Sequence, residues 1–227
     1  MHRRTFVTAA SLSAVGLAAP GAASAQGTAA PAKPAGERDV ARHAQDAWYD
    51  ALPSKHRLFV DATSVEEAFT ALGFAFNFLR TSQTGYNLKD TDAGVIICLR
   101  HDATDFAFSN ELWEQHEYFQ KIRYKHPDTG KKLKGGNIYR VGSKRPESLP
   151  EGFTYDGLAK RGVHFAICGL ATRAAATEIA GKGASREAIE DVMDKLVAGL
   201  PANAHVMASG ILAAQRAGEY GYTVIRA

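Results

Sequence analysis

The apolar positions along this chain change period repeatedly, and the changes mark out alternating strands and helices. Residues 56–61, HRLFVD, read as an opening strand. Ser64 then stands where a helix N-cap belongs. Glu66 and Glu67 follow in the first turn, and Ala68, Phe69, Leu72, Phe76 and Leu79 recur at helical spacing. Residues 95–99 form an unbroken apolar run of strand length, the pattern of a strand buried on both faces. Residues 106–115 read as a second helix with Trp113 on its apolar side. Residues 156–161 read as a helix end stopped by Gly162, 163–167 as a third strand, and 170–180 as the next helix. Ser185 caps a further helix carrying Ile189, Val192, Leu196 and Val197, which Pro201 ends. The third position after that cap is Ala188, so no capping box is expected there. Residues 205–208, 211–218 and 222–225 complete the pattern as strand, helix and closing strand.

Strand and helix alternating in this way predict an α/β fold: a five-stranded, mainly parallel sheet with helices on both faces, a three-layer sandwich. Ligands of open parallel sheets bind outside the carboxyl ends of the strands, and Asp61, His101, Cys168 and Ser209 are all expected on that rim. Residues 117–151 break the rhythm. Basic residues, Gly and Pro replace the periodicity over a length too great for a routine connection, which predicts an insertion over the site or a mobile lid.

The N-terminus changes the picture of where the chain works. Arg3 and Arg4 precede an Ala-rich apolar run, and Ala23-Ser24-Ala25 offers a small-residue cleavage site. Residues 1–25 read as a cleaved export signal of the twin-arginine type, with a general secretory signal as the alternative. The expected location is therefore periplasmic or secreted. The run is shorter and smaller-sided than the roughly 20 strongly apolar residues of a membrane span, so no stable membrane insertion is expected. Residues 26–54 read as a linker, with a short helix near 40–50, carrying Trp48 and Tyr49, that docks on the body; residues 55–227 form the domain.

Charge then adds little. The full chain carries 27 Lys plus Arg against 24 Asp plus Glu, and removing Arg3 and Arg4 leaves 25 against 24, a net charge of +1. No general nucleic-acid surface survives that correction. The basic stretch within 117–151, with Lys121, Arg123 and Lys125 among aromatic residues, reads as a solvated loop or a docking surface for an acidic partner. GKKLKGG is not a phosphate loop, because the GxxxxGK[ST] order is absent. For the same reason a flavin- or nucleotide-binding enzyme is a weaker reading, since Asp61-Ala62-Thr63 stands where a Gly-rich loop would follow the first strand. No cofactor is expected.

Candidate chemistry centres on Cys168. A thiol between a strand end and a helix start lies beside unpaired N–H groups and the positive end of a helix dipole, conditions that favour the thiolate. The competing reading is a small buried residue without chemistry. A disulfide between Cys98 and Cys168 is conceivable in an exported protein, but strand interiors seldom offer the geometry. Cys98 then stands as a silent core residue or a resolving thiol. His101 is a candidate catalytic group that shuttles a proton or aids thiolate formation; the alternative is a strand-end histidine capping a carbonyl. Arg173, five residues beyond Cys168, is a candidate substrate-binding residue for an anionic sulfur species, or simply an exposed helix arginine. Arg100 and Asp102 read as solvated rim charges. His101, His116, His126 and His164 show no metal-ligand spacing within one element, and no metal is expected.

The run GVHFAICGLATRAAA at 162–176 resembles the cysteine region of the DsrE/DsrF-like family of sulfur-trafficking proteins, which includes the TusD-type relays. VIICLRHDAT at 95–104 and the stretch from Leu200 to Ile225 are similar to other parts of that family. The likeness covers about 56–227, with a gap at the basic insertion. It implies a DsrE-like, flavodoxin-like sandwich and a sulfur-carrier or sulfurtransferase-like role. It further implies Cys168 holding sulfur as a persulfide, small sulfur species or a donor or acceptor protein as partners, and a homo-oligomer, trimer or hexamer. The export signal and the insertion depart from the family pattern. The alternative is a non-catalytic ligand- or protein-binding module on the same fold.

Overall fold

The computed structural model describes residues 41–52, 55–134, 136–142 and 146–227. The export signal expected at 1–25, and the expected linker as far as residue 40, lie outside the described residues. A 3-10 turn leads into α1 (Ala47–Ala51), followed by β1 (His56–Ala62), α2 (Val65–Tyr86), β2 (Ala93–Leu99), α3 (Asn110–Gln115) and α4 (Glu117–Gln120). Then come β3 (Arg123–Lys125), β4 (Lys132–Lys134), α5 (Tyr155–Lys160), β5 (His164–Cys168), α6 (Gly169–Ala180), α7 (Arg186–Ala198), β6 (Ala204–Met207), α8 (Gly210–Glu219) and β7 (Thr223–Arg226). The main sheet has five strands in the order β6-β5-β2-β1-β7, every neighbouring pair parallel, so the α/β architecture expected from the sequence is the one found.

The local chemistry explains the element ends. Ser64 and Glu67 form a full capping box at the start of α2, in which the Ser64 hydroxyl accepts from Glu67 N–H and the Glu67 carboxylate accepts from Ser64 N–H. That helix buries Ala68, Ala71, Leu72, Ala75, Leu79 and Ser82 on one stripe and stops at Asn87, held left-handed at φ 54°. It runs about two turns beyond Leu79, as far as Tyr86, and buries Ser82 on the way. The helix expected at 106–115 divides in two: residues His101–Ala107 wind as a 3-10 helix, and only Asn110–Gln115 are α-helical, capped by Ser109.

The connectivity decides which face each helix covers. The chain steps from β1 to β2 to β5 to β6 in one direction, and right-handed crossovers place α2, α5, α6 and α7 on one face. From β6 it returns past the whole sheet to β7 beside β1, which puts α8 on the other face. Two cores result. The first joins Leu58, Val60, Val95, Ile97, Phe165 and Ile167 to the helices of the first face. The second joins Phe59, Ile96, Cys98, Ala166 and Met207 to Ala213 and Ala217 of α8.

One ten-residue helix is too narrow to cover five strands, and the N-terminal segment closes the remainder. Tyr49 and Leu52 belong to the second core, so the helix expected near 40–50 docks there. Tyr49 Oη donates to Ala213 O at 3.0 Å, and Tyr222 Oη donates to Tyr49 O at 2.9 Å. Arg216 of α8 binds the buried Asp46 carboxylate at 2.7 Å and the carbonyl of Ala41 at 2.7 Å. Trp48 stacks on His205, ring centroids 3.9 Å apart, and His205 Nε2 meets His164 Nδ1 at 3.0 Å.

The stretch from 117 to 151 is built into the first core. Phe119, Tyr124, Ile138, Tyr139 and Leu149 are all buried there, and the β3-β4 hairpin is antiparallel. The buried Arg140 binds Asp156 through two nitrogens at 2.9 and 3.0 Å and also donates to Ala107 O. Among the described residues of that stretch, Lys121, Lys125, Lys131 and Lys132 are exposed, and Lys121 pairs with Glu178 at 3.7 Å. No described helix is long and apolar enough to cross a membrane.

Candidate functional site

Neighbouring strands whose connections leave towards opposite faces open a crevice at their carboxyl ends. Here those strands are β5 and β6, since β5 runs into α6 on the first face and β6 into α8 on the second. Cys168 and Met207 end these strands as direct register partners. The predicted strand-end position of Cys168 is therefore what the fold delivers. It is the last residue of β5 and the N-cap of α6, with extended backbone at φ −70° and ψ 108°.

No side chain caps α6, so its first-turn N–H groups and dipole end lie at the cysteine. Thr172 Oγ1 donates to the Cys168 carbonyl at 2.9 Å and ties the turn down. Gly169 allows the close approach of the two strand ends: a Cβ there would lie 2.6 Å from Met207 O. The thiol itself is nearly enclosed, at 7 % exposure.

Side chains alternate between faces along a strand, so Ala166 and Cys168 share the second face with their register partners. Cys98 pairs with Ala166 and Asp61 pairs with Cys98, which sets Asp61, Cys98, Cys168 and Met207 along one rim. Arg100, two residues beyond Cys98, continues that face. Its stem lies against Gly210, where a Cβ would come within 2.5 Å of Arg100 Cβ. Its guanidinium grips Asp61 through Nε and Nη2, both at 2.8 Å. That hydrogen-bonded pairing raises the guanidinium pKa further.

Cys98 is fully buried and donates weakly from Sγ to Gly210 O at 3.7 Å. Burial pushes its thiol well up, and the Asp61 carboxylate and Cys168 add to that while Arg100 opposes it. Both cysteines are free thiols. Burial favours the neutral thiol at Cys98, which makes it a poor nucleophile.

The other two predicted site residues go elsewhere. His101 leaves β2 with a left-handed backbone, φ 51°, at the start of the 3-10 helix, and its side chain is exposed. Among the described contacts no hydrogen bond or ion pair joins it to Cys168. Arg173 reaches Glu190 of α7 at 3.0 and 3.2 Å on the outer surface, where Arg186 also approaches that carboxylate at 3.9 Å. Ser209 caps α8 by accepting from Leu212 N–H. Sequence reasoning passed over the Arg100–Asp61 pair and Met207. The signal was present as an acid and a base at the ends of consecutive strands, with Arg100 in phase with Cys98. Among the described residues, no three His, Cys, Asp or Glu side chains converge in a way that could hold a metal ion.

Compared with known protein families, curated proteins and solved structures, the chain matches none.

Proposed function

We propose that this protein is an exported sulfur carrier, or sulfurtransferase-like protein, that holds sulfane sulfur as a persulfide on Cys168. The observation that supports the reading best is the place of Cys168 at the carboxyl end of β5 beside β6, ending a strand and opening an uncapped helix, with the Arg100 guanidinium on the same rim. Loading is a transfer without net redox change. The Cys168 thiolate attacks the outer sulfur of a donor persulfide or polysulfide, a new S–S bond forms, the donor's S–S bond breaks, and the donor thiolate leaves. Discharge to an acceptor thiolate is the same step reversed.

Mass spectrometry after incubation with polysulfide tests this. Cys168 gains mass in steps of one sulfur, and Cys168→Ala, still folded, gains none. If the folded wild type gains no sulfur at Cys168, the reading fails. A plain binding module on this fold is favoured by the near-complete enclosure of the thiol. It predicts that Cys168 resists alkylation until denaturant is added, whereas the carrier reading predicts modification of the native protein at neutral pH.

A further inference from the structure

Beyond closing the first core, the β3–β4 hairpin forms one wall of a cavity whose other wall is the first two turns of α2. The cavity measures about 360 Å³, within the roughly 300–1,000 Å³ typical of small-molecule sites. We propose that it binds a small aromatic acid, with its ring packed among Phe69, Tyr124 and Tyr139. The far end of that ligand bonds to the Tyr139 hydroxyl, and its carboxylate is held at the mouth by Lys125 and His126. None of the residues lining the cavity belongs to the rim at Cys168, so the inference does not rest on the persulfide reading.

Tyr139 carries the argument. Its ring is fixed by Phe69, Phe106 and Tyr124, whose centroids lie 5.4, 5.7 and 5.9 Å away. Its backbone is fixed too: the N–H donates to Asn137 Oδ1 at 3.2 Å, and the carbonyl accepts from Tyr155 N–H at 2.9 Å. The residue is 3 % exposed, yet its hydroxyl has no hydrogen-bond partner among the described residues. Neighbouring Tyr124 shows the contrast, for its hydroxyl donates to Gly136 O and accepts from Ile138 N–H. Buried hydroxyls are seldom left unpaired. The Tyr139 oxygen keeps some accessible surface, since among the described residues Trp48 Nε1 is the fully enclosed polar atom without a partner, and the cavity is the space that Tyr139 lines. Burial raises the Tyr139 pKa, so the phenol stays protonated and can donate.

The other walls select the ligand. Phe69 and Tyr124 present ring surface, which favours a flat apolar body. Burial is graded across the cavity: Tyr124 and Tyr139 are buried, whereas Lys125 and Gly130 are exposed, so the lysine marks the mouth. Lys125 makes no ion pair among the described residues. His126 Nδ1 accepts from Asp128 N–H at 3.2 Å, which leaves the ring proton on Nε2 as a second donor. Both groups suit a carboxylate. Glu66 lines the α2 side and is exposed there, and its charge disfavours a dianion, so the ligand carries a single acid group.

The experiment is isothermal titration of the full-length protein with para-hydroxybenzoate as the probe, alongside benzoate, phenol and benzylamine. One site per chain is expected, with para-hydroxybenzoate bound more tightly than benzoate or phenol, and benzylamine not bound. Tyr139→Phe keeps the ring and removes one oxygen. It weakens para-hydroxybenzoate about three- to tenfold and leaves benzoate unchanged. Lys125→Met, at an exposed position, weakens both acids about threefold or more and lowers the salt dependence of binding. The proposal is overturned by no saturable binding of the probe, or by benzylamine binding as tightly as the acids. It is equally overturned by an unchanged probe affinity in folded Tyr139→Phe or in Lys125→Met. Absence of persulfide on Cys168 leaves these readouts untouched and overturns only the carrier reading.

Discussion

Replacing Gly169 with alanine sets two known effects against each other at the cysteine crevice. Alanine in place of glycine within a helix gains up to about 1 kcal/mol from backbone entropy. At Gly169 the new methyl would stand 2.6 Å from Met207 O and 3.4 Å from Val206 Cγ1. The closer neighbour is backbone, so it cannot rotate away, and β6 or the β5–α6 turn has to move. Overpacking of this kind costs about 1–3 kcal/mol. The net expectation is a loss of about 1–2 kcal/mol, carried by the joint that places Cys168 beside Met207. Gly218 in α8 supplies the control, because a Cβ there meets nothing within 4 Å. Gly218→Ala is then expected to gain about 0.5 kcal/mol, reduced from the full helix value because the residue lies in the last turn. Urea unfolding followed by circular dichroism reads both. With a slope of about 2–3 kcal/mol/M, Gly169→Ala lowers the midpoint by about 0.5 M at unchanged slope, and Gly218→Ala raises it slightly. A Gly169→Ala midpoint equal to or above wild type refutes the reasoning, because the strand ends would then have room that the structure denies them.

Two further expectations concern pH. Burial raises the Asp105 carboxyl pKa to about 7, against the hydrogen bond from Tyr118 Oη at 3.1 Å. A raised carboxyl pKa gives stability that is present below about 4 and lost as pH rises to about 7. Asp105→Asn should therefore be more stable by about 2 kcal/mol at pH 8, with a flattened profile between those limits; an unchanged profile would show the carboxylate to be solvated. In that same variant the histidine pair shows its opposite slope. Burial, then His164, lowers His205 to about 4, and burial lowers His164. Stability that is full above about 6.5 is lost as pH falls towards 4, about 1 kcal/mol at pH 5 after halving for partial exposure. Trp48 fluorescence reports it through the stack on His205, and His205→Phe removes the slope; an acid transition that survives that substitution assigns it to other groups.

What the sequence disclosed follows from where one period dominates. The run at 95–99 is apolar at every position because β2 is central and buried on both faces, so its strand character was plain. The cap at Ser64 and the stops at Gly162 and Pro201 are local chemistry and were equally legible. The 3-10 winding of His101–Ala107 was not, since Ala103, Phe106 and Ala107 are buried at spacings that serve either helix. The insertion misled for a different reason. Its lysines dominate the text, but its structural role lies in Tyr124, Ile138, Tyr139 and Arg140, whose partners are remote in sequence.

The site shows how one residue of phase redistributes chemistry. Position along the chain put His101 next to the cysteines, for it follows the same strand. A strand, however, sorts its side chains by parity: Ile96, Cys98 and Arg100 share the second face, and a step of one residue changes the face. His101 then departs with a left-handed backbone, and the charge placed beside the thiols belongs to Arg100. The faces differ because only the last crossover reverses direction. That reversal leaves α8 and the N-terminal segment alone on the second face and sends the connections after β5 and β6 to opposite faces. Cys98, Cys168 and Met207 all fall on that face. The sulfur transfer proposed at this rim is thus tied to the same topological event that makes Tyr49 and Arg216 necessary to finish the core.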